Sequence, residues 1–84
     1  MVIKVIEKTD EFVRIIKKLK DNVLKEQIEK QIIKIIKDPE IGKPMMFLRK
    51  RTREVYISKF RLSYAYIKEE DKLILLDFYH KDKQ

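Results

Sequence analysis

The apolar residues of this chain change their period part-way along it. In the first half they recur at helical spacing. Phe12, Ile15, Ile16 and Leu19 fall at i, i+3, i+4 and i+7, one face of an amphipathic helix. Leu24, Ile28, Ile32 and Ile35 repeat the stripe, and Ile33 and Ile36 widen it. In "KTDE", Thr9 or Asp10 suits the N-cap of the first helix, with acids following in the first turn. Asp21 and Asn22 mark a turn and a second cap. "KDPE" closes the second helix, because Pro39 disfavours helical geometry at Asp38. The short connection predicts an antiparallel hairpin of helices. Ahead of it, "VIKVI" (Val2–Ile6) is short and β-branched, and reads as a first strand.

"IGKP" (Ile41–Pro44) holds the only glycine and the second proline, and forms the main loop. From Met45 onward the period falls to two. Arg49, Arg51 and Arg53 alternate, and Val55 and Ile57 continue their face. "KFRLSYAYIK" sets Phe60, Leu62, Tyr64 and Tyr66 against Arg61, Ser63, Ala65 and Ile67. "EED" (Glu69–Asp71) is a charged turn, and "KLILLDFYH" is the last strand. The pattern predicts an α+β fold: an N-terminal strand, a two-helix antiparallel hairpin, then a three- to four-stranded antiparallel sheet. The helices would cover one sheet face and leave the other partly open. Residues 1–84 are expected to form a single small domain.

Composition narrows the chemistry. There is no cysteine and one histidine, so disulfides, thiolate catalysis and cysteine- or histidine-rich metal sites are excluded. No apolar run approaches the roughly 20 residues of a membrane span. The N-terminus is too charged for a secretory signal, which makes cytoplasmic residence the default. One glycine cannot build a phosphate-cradling loop. The net charge of +7 is unevenly spread. Residues 43–61 carry seven basic groups (Lys43, Arg49, Lys50, Arg51, Arg53, Lys59, Arg61) against one acid, Glu54. Four of the five arginines lie there, and arginine is the better fork for phosphate. Such a patch suits a polyanion or an acidic protein.

Candidate chemistry follows from this segment and the chain's end. Arg61 lies inside a strand, so it either pairs across the sheet, with Asp77 or Glu54, or faces outward. Glu54 is a candidate general base or a salt-bridge partner. His80 is a solvated tail residue or a proton donor, since imidazole titrates near neutrality. Lys81 and Lys83 are tail charges unless the tail folds back toward Arg61. Tyr56, Tyr64, Tyr66 and Tyr79 either stack on bases or pack at strand spacing. Arg, His and Lys without a metal suit RNA transesterification by its own 2′-hydroxyl. The protein then orients the phosphate, stabilises the transition state and protonates the 5′ leaving oxygen.

Taken in order, strand–helix–helix–strands, "IGKP", "FRLSYAY" and "LLDFYHK" resemble the RelE/ParE superfamily of toxins from type II toxin–antitoxin pairs. RelE-like and YoeB-like members are ribosome-dependent mRNA interferases that need no metal or other cofactor. The resemblance implies a toxin acting on mRNA and ribosomal RNA in the A site, neutralised by a RelB-like antitoxin and without a membrane role. By position it makes Arg61 the transition-state residue, His80 the general acid and Lys81 the basic residue beside it. Lys43, Arg49, Lys50, Arg51, Arg53, Lys59 and Lys83 fall where RNA contacts would be made. Met45 stands where YoeB-like toxins carry a glutamate base, which leaves Glu54 as the candidate. ParE-like members, which poison gyrase, and a non-catalytic nucleic-acid-binding module are the alternatives.

Overall fold

The computed structural model describes residues 3–44 and 51–83. Both helices start where the sequence offers a capping side chain. The Thr9 hydroxyl accepts the Phe12 N–H at 3.1 Å and opens α1, Asp10–Lys18. It also donates to the Leu76 carbonyl at 2.6 Å, which ties the helix start to the last strand. Asp21 accepts the Leu24 N–H at 3.1 Å and opens α2, Asn22–Lys37. That helix stops immediately before Asp38 and Pro39, as the proline requires. Phe12, Leu24, Ile28 and Ile35 form the buried helical face. Ile36 packs partly against it, whereas Ile33 is exposed, so the apolar stripe of α2 is narrower than its isoleucines suggest.

Five strands form one sheet: β1 Val5–Lys8, β2 Lys43–Pro44, β3 Thr52–Ile57, β4 Phe60–Ile67 and β5 Lys72–His80. Their order is β1-β5-β4-β3-β2. β2 to β5 pair antiparallel, and β1 joins β5 in parallel, so the sheet is mixed. β1 spans Val5–Lys8 where Val2–Ile6 was expected, and Val2 itself lies outside the described residues. β1 is an edge strand with every residue exposed, so its bounds come from pairing with Lys72–Leu75 rather than from an apolar period. Arg51 does not continue the expected alternation. Its φ of 69° is left-handed, and its carbonyl accepts the Tyr66 N–H at 3.0 Å, extending the β3–β4 ladder by one pair.

Helices and sheet enclose one apolar core. Val55, Ile57, Leu62, Tyr64, Tyr66, Leu73, Leu75 and Phe78 line its sheet side. The alternation expected for β4 holds, with Leu62, Tyr64 and Tyr66 inward. Tyr64 and Tyr66 are thus core residues and are not presented to a base.

β5 departs from simple alternation. Ser63 pairs with Asp77 but Tyr64 pairs with Leu75, leaving Leu76 as the extra residue of a β-bulge. Because side chains alternate, one extra residue exchanges the faces of everything beyond it. Leu73 and Leu75 point inward, and after the bulge so do Phe78 and His80. Asp77 and Tyr79 turn to the open face.

Candidate functional site on the open sheet face

The open face carries a cluster built from three strands. Arg61 on β4 lies opposite Tyr56 on β3 and Tyr79 on β5. Its guanidinium stands over the Tyr56 ring, 4.8 Å from the centroid. Arg61 Nη1 reaches Glu54 Oε1 at 3.4 Å, and the Tyr79 hydroxyl donates to Glu54 Oε2 at 3.1 Å. Both charged side chains are largely withdrawn from water, Glu54 at 12% and Arg61 at 25% exposure. Arg61 Nε is buried without a hydrogen-bond partner. A carboxylate, a guanidinium and a phenol therefore converge on one patch, able to accept a proton, hold an oxyanion and donate a proton.

His80 does not join this cluster. It pairs with Phe60, on the opposite face from Arg61. Its ring meets Phe60 edge-on at 5.3 Å, while Phe60 stacks on Phe78 at 4.9 Å. His80 Nδ1 accepts the Asp82 N–H at 3.2 Å, capping the short turn Lys81–Lys83. Arg61 and His80 therefore do not face one phosphate. The bulge is the reason: it puts Tyr79 beside Arg61 and turns His80 away.

The other expected contacts scatter. Lys43, exposed on β2, sits directly opposite Glu54 in the register. Arg53 faces the helical side, where its Nη1 donates to the carbonyls of Glu40 at 3.0 Å and Gly42 at 2.8 Å. It is a clamp on the loop before β2. Arg51 pairs with Glu69 at 3.2 Å, at the other end of β3. Lys59 lies in the β3–β4 turn, and its carbonyl accepts the Lys81 N–H at 3.0 Å, so the tail folds onto that turn. Arg49, Lys50, Met45 and the Lys83 side chain lie outside the described residues. Among the described residues no group of three or more His, Asp or Glu side chains could hold a metal ion.

The loop entering the site is fastened twice. Tyr64 is fully buried, and its hydroxyl accepts the Gly42 N–H at 2.9 Å and donates to the Pro39 carbonyl at 2.8 Å. Burial pushes the Tyr64 phenol above its ordinary value, outweighing the opposing pull of the Gly42 amide. Gly42 is required at this point for space. A Cβ there would stand 2.6 Å from the Tyr64 hydroxyl. With Arg53, this clamp delivers Lys43 to the side of Glu54.

A family model for the ParE-like toxin of type II bacterial toxin–antitoxin systems matches residues 6–83. The chain belongs to this family. It is a toxin of the type II class, and its fold is that of RelE toxins. The isolated RelE toxin of E. coli superposes with a TM-score of 0.80 at 17% identity, over 95% of this chain and 86% of that one. The toxin–antitoxin complex RelBE2 of Mycobacterium tuberculosis contains a chain with a TM-score of 0.77 at 22% identity, over 95% of this toxin and 100% of that chain. A metal-bound toxin from Helicobacter pylori is similar at a TM-score of 0.65 and 20% identity, over 99% and 98% of the two chains. No curated protein matches the chain in sequence. Among the described residues no helix of the toxin is long and apolar enough to cross a membrane.

Proposed function

We propose that this toxin is a metal-independent endoribonuclease that cleaves mRNA on the ribosome and stops translation in the cytoplasm. The observation that carries the reading is the convergence of Glu54, Arg61 and Tyr79 on the open sheet face. In this reading Glu54 takes the proton of the substrate's 2′-hydroxyl, whose oxygen attacks the adjacent phosphorus. Arg61 neutralises the charge that grows on the phosphoryl oxygens. Tyr79 donates its proton to the departing 5′ oxygen. The proton on Glu54 then returns to the Tyr79 phenolate along their 3.1 Å hydrogen bond, which restores both groups. The products are a 2′,3′-cyclic phosphate and a 5′-hydroxyl. A RelB-like antitoxin with an acidic segment would complement the basic 43–61 region and exclude RNA.

The test is cleavage of a defined mRNA on translating ribosomes, with ends mapped by primer extension. Arg61→Ala, Glu54→Gln and Tyr79→Phe each lower the rate by about 10²-fold or more. His80→Ala and Lys25→Ala stay near the parent rate. Equal losses at His80 and Arg61 would remove the cluster as the site. A gyrase-directed poison is the second reading, favoured by the ParE-like family match and by the Glu54 carboxylate already neutralising Arg61. Gyrase-dependent DNA breaks on expression, with intact mRNA, would establish it.

A further inference from the structure

We propose that the cleft along the free edge of β3 is a nucleobase pocket, selective for adenine, which sets the toxin's cleavage preference. This inference rests on the ribonuclease reading and extends it to a specificity site. β2 pairs only with Arg53 and Glu54, so among the described residues no strand covers β3 beyond them. A cleft of about 250 Å³ opens there, lined by Gln31, Ile41, Lys43, Glu54, Val55 and Tyr56. That volume lies below the roughly 300–1,000 Å³ of drug-sized ligand sites and suits a single heterocycle.

The lining has what an unstacked base requires. Tyr56, 53% exposed, offers an aromatic ring, and Ile41 and Val55 offer apolar surface. The backbone adds hydrogen-bonding groups. Ile57 and Phe60 close a two-residue hairpin and therefore form its hydrogen-bonded pair. The ladder alternates, so the N–H and C=O of Tyr56 point away from β4, toward the cleft. Gln31 contributes an amide from α2, held in place by buried Ile28 and Ile35 on the same helical side. An amide matches adenine with two hydrogen bonds, one given and one received. RNA modules read splayed bases in this way, by stacking and by their edges. Glu54 and Tyr56 belong to both the cleft and the Arg61 cluster. A phosphate on Arg61 thus leaves a neighbouring base within reach of the cleft.

The test uses short RNAs made uncleavable by 2′-deoxy substitution at the scissile nucleotide, differing only in one flanking base. Binding to the isolated toxin is followed by NMR at the Gln31 side-chain amide and at Gly42, whose amide signal is unique in this chain. The adenine-containing RNA is expected to shift both signals and to bind more tightly than its uracil counterpart. Gln31→Ala is expected to cut that preference by roughly tenfold. RNA that shifts the Arg61 side chain while leaving Gln31 and Gly42 unmoved would overturn the pocket and keep the ribonuclease reading. The pocket is likewise overturned, and the ribonuclease reading kept, if Gln31→Ala binds and cleaves with unchanged base preference. Failure of every RNA to bind, with no cleavage on ribosomes, would overturn both.

Discussion

Tyr64→Phe isolates the loop clamp. The change removes one oxygen and keeps the ring, so the core stays filled. It leaves the Gly42 N–H and the Pro39 carbonyl, both buried, without the partners they hold at 2.9 and 2.8 Å. Each lost hydrogen bond costs about 1 kcal/mol net, and a buried group left unsatisfied costs about 1–3 kcal/mol. The Gly42 and Glu40 carbonyls keep Arg53, so the loop is weakened and not released. The expected loss is about 2–4 kcal/mol. A domain of this length has roughly 4–13 kcal/mol in total at about 0.05–0.15 per residue. At roughly 4–8 °C per kcal/mol, the melting temperature should fall by about 8–32 °C. Urea unfolding followed by circular dichroism reads this as a lower midpoint at unchanged slope. Hydrogen exchange supplies the local readout, with the Gly42 amide losing protection before the core strands do. A loss below about 1 kcal/mol, or a Gly42 amide that stays protected, would refute the clamp.

Four further outcomes follow from the same geometry. Gly42→Ala drives a Cβ to 2.6 Å from the Tyr64 hydroxyl and 3.0 Å from the Glu54 carbonyl, so it should cost about 1–3 kcal/mol in urea unfolding. Thr9→Ala removes both the N-cap of α1 and its bond to the Leu76 carbonyl, and should cost about 1–2 kcal/mol by the same assay. Burial raises the Tyr64 phenol in the folded state above its ordinary 10.0, so the unfolded chain ionises first. Stability should therefore hold up to about pH 10 and fall as pH rises beyond it; Tyr64→Phe should flatten that limb in a series of urea midpoints. Expression of the toxin without an antitoxin should arrest growth, and Arg61→Ala should relieve the arrest while His80→Ala does not.

The fold was largely legible because the two periods are unambiguous. Phe12, Ile15, Ile16 and Leu19 mark one helix, and Leu24, Ile28, Ile32 and Ile35 a second, at spacings of three and four, and Leu62, Tyr64 and Tyr66 mark a strand at a spacing of two. Thr9, Asp21 and Pro39 set the helix ends by local chemistry alone. What stayed hidden depends on pairing between distant segments. β1 has no buried residue, so only its partner β5 defines it. Arg53 looks like one more cation in a basic run, and becomes a clamp only because β2 returns beside it. The bulge at Leu76 is the most consequential case. Alternation continued from Leu75 would bury Tyr79 and set His80 beside Arg61. The inserted residue reverses both, because the Leu76 carbonyl is bonded to the cap of α1 while Phe78 fills the core. Nothing in "LLDFYH" alone signals that choice.

The composition of the open face argues that the cluster is there to act. A stable half-open sheet is best served by β-branched and aromatic residues with paired neighbours. This sheet instead places a glutamate and an arginine at its centre, at 12% and 25% exposure, and leaves Arg61 Nε buried without a partner. Desolvating such a pair costs as much as its attraction returns, and an unmet donor adds about 1–3 kcal/mol. Local rules of stability are broken most often where a site needs them broken. Here the break falls beside a half-exposed tyrosine and a free strand edge. An incoming phosphate would relieve it. Two anionic oxygens can satisfy Arg61, which releases Glu54 to accept a proton. On the proposed reading, the Glu54–Arg61 ion pair is the contact that a substrate phosphate would exchange for its own oxygens.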